Sequence, residues 1–307
     1  MGKAKRFYLF NLLTLSLSLS SCSQLPDNNS RSSASFEATT PCDEVLKSLL
    51  HIPSTDKSEM MKWNLALLTP TTYKLVYIYG MAKQGTRGFS EGAITKEQTG
   101  KWRKGKYKSM EIVILTADNL PSLSFLKLNE NVLHLLDANK NLVVGNGAWS
   151  YTLNRIDPVS IPSNEGKRQK VDETFLTDSL VFEGRTPCYE PLLTLSGKTK
   201  AGCNLIKCKI IFFCDSESHA PSSLKFYGIQ VGTNGTRHVA AGTWVIMRGT
   251  KNDPNSILYR LQFNPERPQQ DLTFLKGDDN ILFLLDDKFN CMPGNNYCSY
   301  TLNRINK

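Results

Sequence analysis

The residues of this chain best equipped for chemistry are its eight cysteines. A thiol can form a disulfide, bind a soft metal ion as a thiolate, or, in an exported bacterial protein, carry a lipid. Cys203, Cys208 and Cys214 lack the C-x2-C spacing typical of strong zinc motifs, so structural disulfides are favoured over a thiolate metal site. The eight residues are Cys22, Cys42, Cys188, Cys203, Cys208, Cys214, Cys291 and Cys298.

Cys22 stands at the end of a segment typical of a secretory signal. The segment "MGKAKRFYLFNLLTLSLSLSSCSQ" begins with basic residues, continues as an apolar and Ser-rich run, and ends on small residues. Leu19–Cys22 has the form of a bacterial lipobox, which predicts a signal peptide over 1–21 and lipidation of Cys22. Residues 22–35 are mostly polar and are predicted to be a flexible tether. Ser23, rather than Asp, favours the outer membrane.

Beyond the tether the chain contains one module written twice. The heptamer "SYTLNRI" occupies Ser150–Ile156 and again Ser299–Ile305, 149 positions later. "LSFLKLNENVLHLLD" likewise matches "LTFLKGDDNILFLLD", and "FEATTPC" matches "FEGRTPC". These repeats predict two copies, 36–156 and 182–307, joined by a polar linker over 157–181.

Each copy consists mainly of short runs of β-branched and aromatic residues separated by turn residues, which predicts strands. Because closing a sheet removes its vulnerable edges, the expected fold is all-β, with two tandem small antiparallel barrels. The heptamer is predicted to be the last strand, with Tyr, Leu and Ile on an apolar face and Thr, Asn and Arg on a wet face. Its identity in the two copies is then interpreted as a requirement for pairing with the first strand.

The repeat also predicts how two cysteines pair. Cys291 aligns with Leu142 and Cys298 with Trp149, and the residues between the two cysteines favour a turn. A disulfide across a hairpin is therefore predicted for Cys291 and Cys298. Three pairings stay open for Cys188, Cys203, Cys208 and Cys214. Cys42 is either a free thiol or a partner of Cys188 or of another chain.

Other signs of catalysis are missing from the sequence. The four histidines belong to no recognisable motif, and no nucleophile elbow, H-E-x-x-H or P-loop occurs. We therefore expect a protein that is not an enzyme.

The chain has a formal charge of +9, which in an exported protein favours anionic membrane surfaces over nucleic acid. The segment "KWRKGKYK" concentrates this charge and is interpreted either as a solvated hairpin or as a contact with an anionic membrane surface or a partner. Its basic residues are Lys101, Arg103, Lys104, Lys106 and Lys108.

The lipobox, "F-E-x-x-T-P-C", "G-x-W", "L-x-x-L-D" and the final "Y-T-L-N-R-I" together resemble the N-terminal domain of NlpE-type copper-resistance lipoproteins. The resemblance implies a lipocalin-like barrel in each copy, on an outer-membrane lipoprotein that faces the periplasm and serves copper tolerance or envelope-stress signalling through an envelope partner. The family's C-x-x-C is incomplete here, because Val45 and Pro191 stand where a second cysteine is expected. Cys42 and Cys188 are thus the only candidate copper ligands from this motif, and no other cofactor is expected.

The sequence supports two functions. The first is a lipid-anchored envelope module that binds or signals without catalysis. The alternative is a lipocalin-like carrier of a small hydrophobic ligand, whose cavity would be lined by Tyr73, Tyr77 and Tyr79, although such residues also serve simply to fill a barrel.

Overall fold

The computed structural model describes Gly2 and residues 32–305, except 108–109, 119, 198–200, 233–234 and 264–270. The predicted signal peptide (Gly2 aside) and lipidation residue Cys22 lie outside the described residues. β1 begins at Ser32, so the last residues of the predicted tether already belong to the first barrel. The described residues from Ser32 to Ile305 lie in one compact unit.

The first barrel is a closed ring of antiparallel strands in chain order. β1 pairs with β2 along its whole length and with the last strand at Phe36 and Glu37, and this second pairing closes the ring. The elements described in this barrel are β1 Ser32–Pro41, α1 Glu44–Leu49, β2 Met60–Leu68, β3 Thr72–Gly80, β4 Ile94–Tyr107, β5 Met110–Ala117, β6 Leu120–Asn129, β7 Val132–Leu136 and β8 Thr152–Arg155.

The second barrel repeats this arrangement. It is closed by pairing of β10 with β17 and of β12 with β13, while the additional strand β9 pairs with the end of β13. The elements described here are β9 Gln169–Val171, β10 Ser179–Thr186, α2 Glu190–Leu195, β11 Leu205–Cys214, β12 Pro221–Val231, β13 Arg237–Arg248, β14 Ile257–Gln262, β15 Leu272–Lys276, β16 Ile281–Leu284 and β17 Thr301–Arg304.

Every second side chain along the strands points inward, and these side chains fill the interiors of both barrels. On β3, Tyr73, Leu75, Tyr77 and Tyr79 point inward and are buried with Trp63. In the second barrel, the rings of Phe212, Trp244 and Tyr259 pack with centroids 4.9–5.6 Å apart. Burial of one large apolar side chain contributes about 1.5–3 kcal/mol, so these interiors account for much of the stability of each barrel.

One short helix follows the first strand of each barrel. Asp43 caps the N-terminus of α1, and its carboxylate accepts a hydrogen bond from the Leu46 amide at 3.3 Å. This bond satisfies one of the amide groups that a helix N-terminus leaves unpaired. None of the helices in the described part of the chain is long and apolar enough to cross a membrane.

The sequence prediction of two tandem all-β barrels is confirmed. The segment predicted as a linker, 157–181, contains β9 and is hydrogen-bonded to the second barrel. The Asn164 amide donates to the Lys288 carbonyl at 2.8 Å, and the Lys251 amide donates to the Asn164 carbonyl at 3.0 Å. These bonds fasten the polar segment along the outside of that barrel.

Candidate functional site

The disulfide of the described chain joins Cys188 to Cys203, with Cα atoms 6.4 Å apart. It ties the approach to α2 to the approach to β11. The other two members of that predicted set, Cys208 and Cys214, are free thiols, which corrects the expectation that all four are bridged. Cys208 points into the second barrel, where burial raises the pKa of its thiol to about 12.

The predicted Cys291–Cys298 disulfide is wrong, because both residues are buried free thiols. Cys291 packs with Phe283 and Leu285, whereas Cys298 packs with Leu205 and Tyr297 in a separate cluster. The loop between them does form a turn, in which the Asn295 amide donates to the Cys298 carbonyl at 2.9 Å. The turn directs the two thiols into different surroundings.

The proposed copper ligands also fail to form a site. The disulfide occupies Cys188, so it offers no thiolate. Burial raises the pKa of Cys42 to about 12, which disfavours the deprotonated form that binds a metal. Among the described residues, no group of three or more His, Cys, Asp or Glu side chains is placed to hold a metal ion. The residues of this motif therefore do not fit copper.

A contact surface that the sequence did not predict lies between the two barrels, where the repeated heptamers meet. Ser150 Oγ lies 2.6 Å from Ser299 Oγ, and Thr152 Oγ1 lies 2.8 Å from Thr301 Oγ1. Both contacts join residues 149 positions apart, so each residue meets its own counterpart. We call this surface the closing-strand interface; its residues are Ser150, Thr152, Asn154, Ser299, Thr301 and Asn303.

Two asparagines complete the closing-strand interface in a reciprocal way. Asn303 accepts a hydrogen bond from the Gly145 amide at 2.9 Å and donates to the Asn146 carbonyl at 3.1 Å. Asn154 accepts from the Gly294 amide at 2.7 Å and donates to the Asn295 carbonyl at 3.0 Å. Each side-chain amide thus binds the backbone of the other barrel, as in a two-fold symmetric contact.

This symmetry fixes the relative direction of the barrels. Since Ser150 meets Ser299 and Thr152 meets Thr301, the two segments run side by side in the same direction. Corresponding ends of the two barrels therefore face the same side. One further contact agrees with this direction. Arg87, in the loop after β3 of the first barrel, donates to the carbonyl of Asn204, just before β11 of the second, at 2.8 Å.

Thr and Asn of the heptamer, which are predicted to face water, are therefore buried. Ile156 and Ile305, which are predicted to lie on the apolar face, are 55% and 43% exposed, because a period of two places them on the same side of the strand as Thr and Asn. Thr152, Asn154, Thr301 and Asn303 are all at most 3% exposed. Pairing with the first strand does not require identical residues on the side of the strand that faces out of the barrel. The identical Ser, Thr and Asn in the two copies are therefore the sequence signal for a contact between the copies.

His134 belongs to the same contact between the barrels. Burial lowers its pKa to about 4, so its ring is neutral at pH 7. Nε2 lies 3.1 Å from the Val143 carbonyl and must donate to it, which leaves Nδ1 to accept from the Thr152 hydroxyl at 2.9 Å. The ring also meets Phe283, its counterpart in the second copy, edge-on at 5.2 Å. His134 is thus a structural residue.

The predicted basic segment lies at the exposed end of β4. Lys101, Arg103, Lys104 and Lys106 are exposed, whereas Trp102 between them is half-buried and donates its indole N–H to the Leu68 carbonyl at 2.9 Å. Lys104 forms an ion pair with Glu111 at 3.6 Å. Lys108, the fifth residue predicted here, lies outside the described residues.

Neither barrel interior favours carriage of a ligand. Tyr73, Tyr77 and Tyr79 are packed in the first core, and Tyr73 accepts a hydrogen bond from Gln98 at 2.6 Å. A cavity inside the second barrel has a volume of about 10 Å³, the scale of one water molecule.

A cleft of about 260 Å³ lies on the outside of the second barrel. Arg260 and Asp271 in its wall pair with each other at 3.0 Å, and Arg168 stacks 3.7 Å from the centre of the Phe289 ring. Arg168 also pairs with Glu165 at 3.0 Å, so both arginines of this wall already have an ion-pair partner and neither points to a ligand.

No family model matches the chain, and no curated protein shows significant similarity to it. Among solved structures, similarity is found to the crystal structure of the Cpx pathway activator NlpE from Escherichia coli. The identity is 10%, the alignment covers 68% of this chain and 91% of that chain, and the TM-score is 0.25. The match names the family that the sequence motifs resemble, but a TM-score this low carries no argument about fold or function.

Proposed function

We propose that this chain is a lipid-anchored protein of the bacterial envelope that acts by binding a signalling partner rather than by catalysis. The lipobox at Leu19–Cys22 and the polar residues after it support the anchor. The resemblance of its motifs to NlpE-type lipoproteins favours a role in envelope-stress signalling.

The observation that carries this proposal is the filling of both barrels. Trp63, Tyr73 and Tyr77 occupy one interior, and Phe212, Trp244 and Tyr259 occupy the other. A barrel filled by its own side chains presents only its outer surface and its ends to other molecules. The closing-strand interface adds that the two barrels present these surfaces in one fixed orientation.

The two cysteines of the family motif do not support a copper response in this chain. Cys188 is bonded to Cys203, and Cys42 is a buried thiol whose pKa is raised to about 12. A stress signal sensed by this chain would therefore reach it through contact with another molecule rather than through a metal at these two cysteines.

The proposed location is the outer membrane, with the barrels facing the periplasm. Ser23 after the lipidated residue supports this over retention in the inner membrane. Ser23→Asp is the matched variant, because it changes only the residue that follows the anchor. It is expected to shift the chain to the inner-membrane fraction on a density gradient.

The experiment compares the full chain with Cys22→Ser in the native host. For the wild type we expect an N-terminal peptide carrying the mass of acyl chains, a membrane location, and induction of an envelope-stress reporter when the chain is in excess. The Cys22→Ser chain should lack the acyl mass. A wild-type chain without acyl chains would overturn the anchor, and an unchanged reporter would overturn the signalling role.

A further inference from the structure

The strand register places the predicted tether and the basic segment at the same end of the first barrel. β1 begins at Ser32, which pairs with Leu68 at the end of β2. Leu68 pairs in turn with Thr72 at the start of β3, and Thr72 pairs with Lys101 on β4. The chain therefore enters the barrel at the rim where the basic segment begins. We call this rim the tether end.

β4 does not stop at this rim. After Lys101 it continues to Tyr107, and over 102–107 its described partner strand is β5, with Tyr107 opposite Met110. Bonds from Trp102 hold the base of this extension, since its amide donates to the Thr71 carbonyl at 2.7 Å and its indole N–H donates to Leu68. The extension thus projects beyond β3 from a fixed base.

The extension carries a concentrated positive charge. We call Lys101, Arg103, Lys104 and Lys106 the basic end of β4; all four are exposed. Within the part of the chain that the structure describes, Lys104 is the member that has an ion-pair partner, the half-buried Glu111 at 3.6 Å, and Glu111 also pairs with Lys127 at 3.1 Å. Positive charge that the fold itself leaves uncompensated is available to an anionic surface.

With Cys22 anchored in the membrane as proposed, the short chain between Cys22 and Ser32 keeps the tether end near the membrane. Ten peptide units separate Cys22 from Ser32, and even a fully extended chain of that length spans at most roughly 35 Å. Because the two barrels run in the same direction, their opposite ends, with α1, α2 and the disulfide, point away from the tether.

We propose that the basic end of β4 docks on an anionic phospholipid surface and orients the barrels on the membrane. The proposal rests on the lipid anchor in the proposed function. Charge complementarity and the shared tether end identify lipid headgroups as the occupant. Each basic residue near an anionic membrane strengthens binding roughly fivefold, and the effect falls off within a Debye length, about 10 Å at 0.1 M salt.

The test measures lysine acetylation of the full chain mixed with phosphatidylcholine vesicles, with and without phosphatidylglycerol, followed by peptide mass spectrometry. We expect phosphatidylglycerol to slow acetylation of Lys101, Lys104 and Lys106 at least fivefold, and 1 M salt to abolish this protection. The internal controls are exposed lysines at the opposite end of the first barrel, whose rates should not change: Lys57, Lys83 and Lys96.

A pair of variants separates local charge from total charge. Lys101→Gln/Arg103→Gln/Lys106→Gln should remove the protection of Lys104. Lys57→Gln/Lys83→Gln/Lys96→Gln, which removes the same charge from the other end, should keep it. Equal acetylation in the two kinds of vesicle, or loss of Lys104 protection in both variants, would overturn the docking surface.

The same samples report on the anchor separately, because the N-terminal peptide shows whether Cys22 carries acyl chains. If acyl chains are absent, the acetylation contrast at millimolar lipid still decides whether the basic end of β4 binds. If acyl chains are present without a contrast, the anchor stands and the docking surface is wrong.

Discussion

The two copies of the barrel are identical on the closing strands that touch each other, and they differ around that contact and on the outer surface. Ser, Thr and Asn at 150, 152 and 154 recur at 299, 301 and 303, and each set is buried against the other. Close to this contact, Cys291 and Cys298 stand where the first copy has Leu142 and Trp149, and Asn129 of the first barrel donates to the Cys291 carbonyl at 2.8 Å. On the outside, the basic "KWRKGKYK" of the first copy aligns with the far less basic "TWVIMRGT" of the second. The comparison teaches that the repeat preserves the polar contact of the closing strands, whereas the residues around that contact and on the outer surface have diverged.

The largest expected effect comes from breaking the symmetric contact. Asn303→Ala removes two hydrogen bonds and leaves the Gly145 amide and the Asn146 carbonyl without their partner, which we expect to cost about 4 kcal/mol of unfolding free energy. Asn154→Ala should cost about the same, because its bonds to the other copy are equivalent. Urea unfolding measures both variants.

Asn64→Ala is the control for this pair, since Asn64 bonds Glu37 on the exposed surface. It should change the unfolding free energy by less than about 0.5 kcal/mol. Losses at Asn303 and Asn154 that are as small as this, or that differ strongly from each other, would contradict the symmetric interface.

The next effect concerns the disulfide, which only the second copy has in the described chain. Cys188→Ala/Cys203→Ala opens a loop with a sequence separation of 15, and a loop of that length corresponds to about 3 kcal/mol of stabilisation. Urea unfolding should show this loss in oxidising buffer. Dithiothreitol should destabilise the wild type by a similar amount and leave the variant unchanged; a variant that still responds to reductant would argue against this bond.

A smaller effect, on the pH dependence of the unfolding free energy, is expected from His134, because its counterpart Phe283 has no group that titrates. The folded-state pKa of about 4 lies below the unfolded value of about 6.5, so the unfolded chain binds a proton first as the pH falls. The contribution of neutral His134 is present above pH 6.5 and is lost toward pH 4. Between pH 7 and pH 5 this amounts to about 2 kcal/mol.

His134→Phe should reduce this loss of stability between pH 7 and pH 5, as measured by urea unfolding at the two pH values. His219→Asn is the control, because His219 is exposed and its φ of 55° suits Asn. The control should keep the wild-type dependence. An unchanged dependence in His134→Phe would show that another group governs it.

The smallest effect is expected at the cysteines that replace Leu142 and Trp149. Since Cys298 packs with Leu205 and Tyr297 as a free thiol, Cys298→Ala should cost only about 1 kcal/mol. Alkylation of the unfolded, unreduced wild type should modify both Cys291 and Cys298. If neither cysteine is alkylated until a reductant is added, the two are joined by the cross-hairpin disulfide after all.

Much of the fold could be predicted from the sequence, because alternation and repetition are local signals. Tyr73, Tyr77 and Tyr79 fall on one side of a strand by their spacing alone, and the structure buries all three. The pairing of cysteines could not be derived in this way. A disulfide needs Cα atoms within roughly 4.4–6.8 Å and suitably directed side chains, and the turn at Asn295 directs Cys298 away from Cys291.

The sequence by itself determined that this chain is one β module written twice, with an apolar face on each strand and a basic segment in the first copy. Only the tertiary structure decided that Asn154 and Asn303 are buried against the opposite copy, and that the basic end of β4 shares a rim with Ser32. The physical reason is that a period of two reports which side of a strand is apolar. It carries no information about what lies against the other side, because that depends on how closed barrels pack together.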